Sequence, residues 1–305
     1  MNGLAETNGT DVLRAVGHEL RPMADGDLDV AALNHALIDV AVDDLSAACL
    51  VWRQVTNLVR LAGTAHCEAV ESLVRGRLVV TAIALDRTSA DAVSGRCVRV
   101  AARSLMVTGV AFADHLLVVA ESPAGPTAFL LPAESMKNVR RQSMAGLNEA
   151  DNALIDVETV VTESAIVGRP GEGMRVAEQP YQLGLSMGAV AVGGGRRARE
   201  LLDAHRRPDD DAAAAGLAIA RLVAAESLIA DLPRHAPHAA WWSRAAKVVA
   251  TDAATGACDL ATAFAGPRAY AAGHPLNRLA ADLRGLRFQA PAEPDAARRL
   301  AARSC

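Results

Sequence analysis

The feature that most constrains the fold is the spacing of apolar residues, which changes twice along the chain. Up to about Arg77 they recur at the i, i+3, i+4 spacing of amphipathic helices. From Leu78 the chain turns into short runs rich in β-branched residues, separated by turn formers. The helical spacing returns after Gly171-Glu172-Gly173. This segregation predicts an α+β fold with a central β domain between two helical regions.

The two helical regions divide further at capping residues and prolines. In the N-terminal region the spacing predicts helices over 28–42 and 44–74, with Asp43 and Asp44 as the cap between them. In the C-terminal region, Pro208 and Pro233 bound one of the predicted helices. Antiparallel helices of this length predict a C-terminal four-helix bundle. The predicted C-terminal helices are 174–207, 211–231, 239–264, 275–288 and 295–303.

The middle region is predicted to be a mostly antiparallel barrel or sandwich. Turns at Ser94-Gly95 and at 123–126 separate its apolar runs. The predicted domains are therefore an N-terminal helical domain over 1–77, a β domain over 78–170 and a helical bundle over 171–305. The predicted strands are 78–85, 97–110, 115–121, 127–132 and 153–167.

Composition excludes several classes of protein. Hydrophobic residues make up 51% of the 305 residues and aromatic residues only 3%, an excess of Ala, Val and Leu that is typical of packed helices. The net charge is −4 and the basic residues are scattered, which argues against a nucleic-acid surface. We find no apolar run long and uncharged enough to predict a membrane span, and no secretory pattern at the N-terminus. These observations predict a cytoplasmic protein.

Cysteine and histidine residues give no metal-binding pattern. The five cysteines are dispersed, as expected of reduced thiols in a cytosol. His235 and His238 are three residues apart, but Pro237 lies between them and no cysteine or carboxylate is close in sequence. We therefore predict no metal site.

Three short motifs suggest ligand binding but favour structural interpretations. Gly193-Gly194-Gly195 follows no strand and precedes no Lys-Ser/Thr, so close helix crossing is favoured over a nucleotide loop. Gly171-x-Gly173 could offer backbone N–H groups to an anion, although a turn between sheet and helix is favoured. Trp241-Trp242 could stack on bases, but a helix start packed on a neighbour is favoured.

The C-terminal segment His274 to Arg303 resembles the last two helices of the acyl-CoA dehydrogenase family. In that family a His/Tyr-Pro-x-x-Arg-x-x-Arg-Asp-x-Arg run leads into Tyr-Glu-Gly-Thr, whose Glu is often the base that removes the substrate α-proton. Phe288 stands where the Tyr would be and Gln289 where the Glu would be, and an amide cannot take a proton near neutral pH. The residues that keep the frame of this run are Pro275, Arg278, Asp282 and Arg284.

Earlier segments resemble the same family on the flavin side. Residues 73–91 are similar to its approach to the flavin, and 95–122 to its following strand pair, in which Met106 replaces a Trp that covers the flavin. The glycines of 144–177 keep the spacing of the family's next conserved segment. The resemblance covers most of the chain from about Leu45 and implies an FAD site. The cofactor-binding residues that it implies are Leu85, Ser89, Met106, Thr108 and Gly266.

Three departures from the family concern its chemistry. An alternative base position on the first bundle helix reads Pro180-Tyr181-Gln182-Leu183-Gly184, which leaves Glu178, one turn earlier, as a candidate base. The Arg-x-x-Phe-Gly segment that reaches the cofactor diphosphate is replaced by 205–209. The later Gln-x-x-Gly-Gly segment reads Ala263 to Pro267, and Arg207 or Arg268 could compensate.

The sequence leaves three functional hypotheses open. The chain could be an acyl-CoA dehydrogenase-like flavin oxidoreductase acting on an acyl-CoA or acyl-carrier-protein thioester. It could instead be a catalytically degenerate, flavin-free subunit or acyl-binding protein. It could also be a non-redox enzyme that reuses the acyl pocket, with Arg103, Asp114 or Glu178 as polar groups. Because members of this family share cofactor sites between subunits, the resemblance implies a homo-oligomer, or a hetero-oligomer with a homologous chain.

Overall fold

The protein is described by a computed structural model that covers residues 29–178, 181–207, 210–231, 239–271 and 273–289, together with Leu13. Its chain divides into two compact units. The first contains Arg53–Ser143 and Glu149–Gln179, and the second contains Asp29–Trp52, Met144–Asn148 and the chain from residue 180 onwards. The three-domain division over 1–77, 78–170 and 171–305 stays a prediction.

The order of helices and strands confirms the α+β class. Helices come first, strands follow from residue 78 to 167, and helices close the described chain. The helices are α1 Val30–Asp43, α2 Leu45–Leu61, α3 Cys67–Val74, α4 Gly173–Ala177, α5 Tyr181–His205, α6 Ala212–Asp231, α7 Ala239–Ala265 and α8 Pro275–Leu286. The strands are β1 Leu78–Ile83, β2 Thr88–Ser94, β3 Cys97–Thr108, β4 Ala113–Ala120, β5 Thr127–Pro132, β6 Met136–Arg141, β7 Asn152–Thr162 and β8 Ile166–Val167.

The strands of the first unit form a sandwich of two four-stranded sheets. One sheet has the order β1-β4-β5-β8 and the other β2-β3-β7-β6. All neighbours are antiparallel except β1 and β4, which are parallel, so the predicted mostly antiparallel sandwich is confirmed. Side chains from both sheets share one apolar core, as alternation along each strand requires. Core members include Val80, Leu116 and Phe129 from one sheet and Val100, Leu105 and Ile155 from the other.

Two strands, β2 and β6, were not predicted from the sequence. Strand β6 reads MKNVRR and is almost wholly exposed, so no apolar alternation marks it. It is held through Asp156 of β7, whose carboxylate accepts from the Asn138 side chain at 2.9 Å and from the Ser104 backbone N–H at 2.9 Å. Ser104 and Asn138 have positive φ values of 49° and 47° at irregular points of the strand pairing, so Asp156 stabilises both.

Two predicted helices are each broken in the structure. The helix predicted over 44–74 ends at Leu61, because Gly63 adopts a left-handed φ of 72° and the Thr64 N–H and hydroxyl both donate to the Leu61 carbonyl. The helix predicted over 174–207 is interrupted after Ala177, because Glu178 has an extended ψ of 128°. The cap predicted near 43–44 is confirmed at Asp44, which accepts from the Ala47 N–H at 3.0 Å.

The second unit is a helical bundle, as predicted. Helix α5 packs along α7, α6 and α8 pack on α7, and α1 packs along α5. A Cβ on Gly193 would lie 2.5 Å from the Ile38 carbonyl oxygen and 2.6 Å from the Ala41 Cβ. This contact confirms that the Gly193-Gly194-Gly195 run serves close helix crossing. The predicted helix over 295–303 and the His235/His238 pair lie outside the described residues.

Helix α6 corrects one expectation from the sequence. Within the described part of the chain it is long and apolar enough to cross a membrane by length and composition, with a mean hydropathy of 1.7, although the sequence analysis found no such run. Its apolar residues pack only in part, since Leu217 and Val223 are 54% and 52% exposed. The Asp211 side chain caps its start by accepting from the Ala213 and Ala214 N–H groups.

Candidate functional site

One candidate surface lies on the outward face of strands β3 and β7. Met106 is 50% exposed and stands opposite Leu154, while Thr108 stands opposite Asn152. The Thr108 hydroxyl donates to the Asn152 side-chain oxygen at 2.7 Å, and both residues are buried. The strand irregularity between Ala102 and Leu105 sets which side chains of β3 face outward here. The result is an exposed apolar patch beside a fixed polar pair.

Two other predicted cofactor residues lie on the approach to β3. Leu85 is half-buried in a short 3-10 turn, and Ser89 is half-buried on β2 opposite Ala101. In the same turn, the Arg87 guanidinium donates to the Ser104 carbonyl of β3 at 3.4 Å. Leu85 and Ser89 thus lie in and just after the turn that precedes β2, and β2 pairs with the strand that carries Met106 and Thr108.

The exposed patch on β3 and β7 meets part of what a flavin requires. The flavin ring system needs an apolar surface on its face and hydrogen-bond donors at its polar atoms. Met106 and the half-buried Leu154 supply apolar surface. The Thr108 hydroxyl proton is already given to Asn152, so Thr108 offers a lone pair rather than a donor. The patch therefore fits a ring face better than it fits the ring's polar edge.

Gly266 belongs to the second unit and has a local structural role. It follows the last residue of α7 with a left-handed φ of 67°, and a Cβ added there would meet no atom within 4 Å. This conformation ends the helix, as glycine commonly does. Arg268 nearby is exposed. The 205–209 segment begins at His205, whose ring lies 5.6 Å from that of His274.

Gln289 lies just beyond α8 and is tied to the bundle through its backbone. Its N–H donates to the Leu286 carbonyl at 3.1 Å, and its carbonyl accepts from the Lys247 Nζ at 2.5 Å. Lys247 is completely buried in the middle of α7. The residue before Gln289, Phe288, is 75% exposed. Lys247 was missed by sequence reasoning, since a single lysine in an Ala-rich helix gives no motif.

The residues that frame the C-terminal run have structural partners. Asp282 is buried, and its carboxylate accepts from the Leu147 backbone N–H at 2.6 Å and lies 3.8 Å from the Arg278 guanidinium. Arg284 of α8 pairs with Asp259 of α7 at 3.8 Å. Gly146 has room for no Cβ because the Ala281 carbonyl oxygen is 2.0 Å from that position. The frame therefore holds the 144–148 segment on α8.

The alternative base position and Glu178 have different surroundings. The Trp52 indole N–H donates to the Leu183 carbonyl at 2.7 Å, which holds the start of α5. Glu178 is exposed at the end of α4, and its backbone N–H donates to the Met174 carbonyl. Nothing around Glu178 in the described chain marks it as a base, so that role stays a prediction.

The remaining sequence motifs have structural explanations. The Gly171 N–H donates to the Thr127 hydroxyl at 2.9 Å and the Gly173 N–H to the Pro126 carbonyl at 2.7 Å, so this motif is a sheet-to-helix turn. Trp241 and Trp242 make an edge-on ring contact with centroids 4.6 Å apart near the start of α7.

The predicted site residues fall into both compact units. Leu85, Ser89, Met106, Thr108 and Glu178 belong to the first, while Gly266 and Gln289 belong to the second. Their roles in binding or catalysis stay predictions.

Solved structures are similar to nearly the whole chain. Butyryl-CoA dehydrogenase from Megasphaera elsdenii matches 98% of this chain and 89% of its own, with a TM-score of 0.84 and 16% sequence identity. The chain has the acyl-CoA dehydrogenase fold. The resemblance seen in the sequence is thereby confirmed at the level of the fold. No protein-family model and no curated protein matches the chain.

The acyl-CoA dehydrogenase fold is shared by neighbours with other activities. Nitroalkane oxidase from Podospora anserina matches 97% of this chain and 86% of its own, with a TM-score of 0.82 and 16% identity. Dibenzothiophene monooxygenase from Paenibacillus sp. A11-2 matches 94% and 86%, with a TM-score of 0.77 and 18% identity. At such identities the likeness shows the fold, and function must be argued from the site.

Proposed function

We propose that this chain is a flavin-binding oxidoreductase of the acyl-CoA dehydrogenase fold that acts on an acyl thioester carried by coenzyme A or an acyl carrier protein. The observation that carries the proposal is the exposed Met106 beside the Thr108–Asn152 pair, on a fold whose similar structures include butyryl-CoA dehydrogenase and an FMN-bound dibenzothiophene monooxygenase. FAD is the cofactor expected from the sequence, and FMN is the flavin named for that neighbour.

Different residues of this chain would have different roles in the proposed function. When bound, a flavin would supply a two-electron acceptor. Met106 and Leu154 would cover its ring, and Leu85, Ser89 and Thr108 would line the approach. Gln289 supplies no base, because its amide is not protonated or deprotonated near neutral pH. Any proton removal must therefore use another group, for which Glu178 is the candidate within this chain.

An absorbance spectrum of the purified full chain, with and without added FAD or FMN, tests this proposal. We expect a flavin spectrum that remains after gel filtration. Met106→Lys should lose the flavin, because a charge would replace the apolar cover. Val160→Lys is the matched control, since Val160 is 53% exposed at the other end of the β3–β7 pairing. A wild-type chain that takes up neither flavin would end the proposal.

A second candidate is a catalytically degenerate, flavin-free subunit or acyl-binding protein of the same fold. Gln289 favours it, because the resemblance in sequence puts the family base at this residue and an amide side chain cannot act as that base. Lys247 holds the backbone of Gln289 through a hydrogen bond to its carbonyl. If this hypothesis is right, Gln289→Glu alone restores no desaturation unless a homologous partner chain is added. Robust acyl-CoA dehydrogenase turnover by the isolated wild-type protein would rule it out.

The non-redox alternative gains no support from its polar groups. The Asp114 carboxylate accepts from the Arg77 guanidinium at 2.8 Å and from the Ser72 hydroxyl at 2.5 Å. Those donors lower the pKa of Asp114 against the opposing effect of its burial, which is the largest single influence. Arg103 lies within 4 Å of Asp156 and Glu158. These groups are engaged in ion pairs.

We also propose that the chain forms an oligomer through the outer face of α6. Leu217 and Val223 are more than half exposed there, among small residues such as Ala220 and Ala224. Light scattering after gel filtration should show an oligomer for the wild type and a smaller species for Leu217→Glu/Val223→Glu. Met174→Glu, at another exposed apolar residue, should leave the mass unchanged. A monomeric wild type would contradict the homo-oligomer and leave a hetero-oligomer with a homologous chain to be sought by co-purification.

The proposed location is the cytoplasm. Among the described residues, Cys49, Cys67, Cys97 and Cys258 are not joined in disulfides. Reduced thiols suit a reducing compartment.

A further inference from the structure

Arg60 occupies an unusual position in the last turn of α2. Its side chain is half-buried, and its guanidinium makes three hydrogen bonds within the first unit. Nη2 donates to the Ala177 carbonyl at 2.6 Å, and Nη1 donates to the Asn57 side-chain oxygen at 3.1 Å and to the Thr81 hydroxyl at 3.4 Å. All three acceptors are neutral.

No carboxylate of the described residues lies within 4 Å of this guanidinium. Burial, and to a smaller extent the nearby positive charge of Arg53, together lower the pKa of Arg60 to about 10. A pKa of about 10 still leaves the group charged at neutral pH. Its Nε is buried and makes no hydrogen bond. Withdrawing a cation from water without a countercharge is unfavourable, and proteins generally pair such groups.

The surroundings hold the guanidinium in one orientation. The buried Asn57 donates to the Val79 carbonyl of β1 at 2.5 Å, and its oxygen accepts from the Thr81 hydroxyl at 2.8 Å. These bonds fix the two side chains that receive the Arg60 Nη1. The guanidinium carries five N–H groups, more than its three bonds use. Because Nε is enclosed by protein, a ligand would contact the Nη groups. An oriented guanidinium with N–H groups to spare suits an oxyanion, which it binds through charge-assisted hydrogen bonds.

We propose that Arg60, oriented by Asn57 and Thr81, binds an oxyanion of a small-molecule ligand, either a carboxylate or a phosphate group. The site needs no flavin and no base, so it stands apart from the redox chemistry proposed above. One extension does rest on that proposed function. If the substrate is an acyl thioester, the oxyanion belongs either to a second carboxylate on the acyl group or to a phosphate of its carrier.

Chemical modification of the full-length wild-type chain tests the site directly. Phenylglyoxal modifies arginine side chains, and the rate at Arg60 can be followed by mass spectrometry of its peptide. We expect glutarate, inorganic phosphate or both to slow modification of Arg60 relative to chloride at the same ionic strength. Arg75, an exposed arginine whose Nε donates to the Glu71 carbonyl, is the internal control and should react at an unchanged rate.

The result also identifies the source of the oxyanion. Protection by glutarate alone assigns a carboxylate, and protection by phosphate alone assigns a phosphate. Equal rates at Arg60 in glutarate, phosphate and chloride would overturn the proposal.

Thermal unfolding of two variants provides a second test. The protecting anion should no longer stabilise Arg60→Gln, which corresponds to an anion Kd weakened about tenfold or more. It should still stabilise Arg75→Gln. If Arg60→Gln fails to fold, the wild-type protection experiment still decides. Flavin uptake is measured separately by absorbance. Either experiment can give a negative result while the other gives a positive one, so failure of this proposal is distinguishable from failure of the proposed function.

Discussion

The Nζ of Lys247 donates to the backbone carbonyl of Gln289 at 2.5 Å, which ties the interior of the helical bundle to the residue predicted to stand at the family's base position. Lys247 is completely buried in α7, whereas Phe288, beside Gln289, is largely exposed. The bond therefore fixes the backbone of the segment that follows α8. The bond uses the backbone of Gln289 and not its side chain.

Replacing Lys247 by Met should destabilise the protein. The change removes a charged donor and leaves the Gln289 carbonyl without that bond, which we expect to lower the free energy of unfolding by about 1–3 kcal/mol. Denaturant unfolding of the full chain measures the difference.

Lys137→Met is the matched control, because Lys137 is the only other lysine in the sequence and donates to the Glu134 carbonyl at 2.7 Å from an exposed position. It should change stability by less than about 0.5 kcal/mol. A Lys247→Met protein as stable as the wild type would show that the buried charge costs as much as its bond contributes.

Two helical glycines should respond oppositely to alanine. Gly193→Ala places a Cβ 2.5 Å from the Ile38 backbone oxygen, so α1 or α5 must shift, at a cost of about 1–3 kcal/mol. Gly216→Ala in α6 meets no atom within 4 Å and should stabilise by about 0.5–1 kcal/mol, because alanine favours helix. Thermal unfolding of both variants gives the signs. A stabilised Gly193→Ala would mean that α1 and α5 are not closely packed.

The same contrast shows how far the sequence predicts this fold. Apolar spacing was enough to predict the class, most strands and the bundle, because those patterns record which faces are buried. It did not distinguish Gly63, which ends α2, from Gly193, which lies inside α5. That difference depends on Ile38 and Ala41 packing against Gly193, a contact distant in sequence. Strand β6 was missed because its exposed side chains carry no alternation.

The candidate site was less predictable than the fold. Motif resemblance gave Met106 and Thr108, but only strand pairing places Asn152 opposite Thr108. Arg60 and Lys247 each stand in a helix whose sequence looks the same whether a basic residue is solvated or buried. Their burial and hydrogen-bond partners come from tertiary packing, and no single-sequence pattern records that.

Gln289→Glu separates proton removal from electron transfer. A carboxylate at this position could act as a base, which typically contributes about 10²–10⁴-fold. If the chain is the flavin-free subunit, this variant should accelerate exchange of the α-protons of an acyl-CoA with deuterium from solvent, while desaturation stays absent without a partner chain. In that case the wild type should exchange at the rate of buffer, as should Gln142→Glu, which adds the same charge elsewhere. Exchange by the wild type would contradict the flavin-free subunit and favour the oxidoreductase with another base, such as Glu178.

Cys258 should make stability fall at alkaline pH. Burial, and to a smaller extent the neighbouring Asp259 carboxylate, raise the pKa of its thiol from 9.0 to about 12. The folded state therefore keeps its proton where the unfolded state loses it. The resulting stabilisation is complete below about pH 9 and is lost as the pH rises towards 12. At pH 10 the loss should be about 1 kcal/mol, measured by denaturant unfolding against pH.

Cys258→Ala should remove this contribution from the pH dependence, and Cys67→Ala, at an exposed thiol, should keep it. The same difference predicts that iodoacetamide at pH 8 alkylates Cys67 in the folded protein but reaches Cys258 only after unfolding, because only the thiolate reacts and Cys258 is completely buried. Rapid alkylation of Cys258 in the folded chain would contradict both expectations, since it would mean that the α7–α8 contact around this thiol opens readily to solvent.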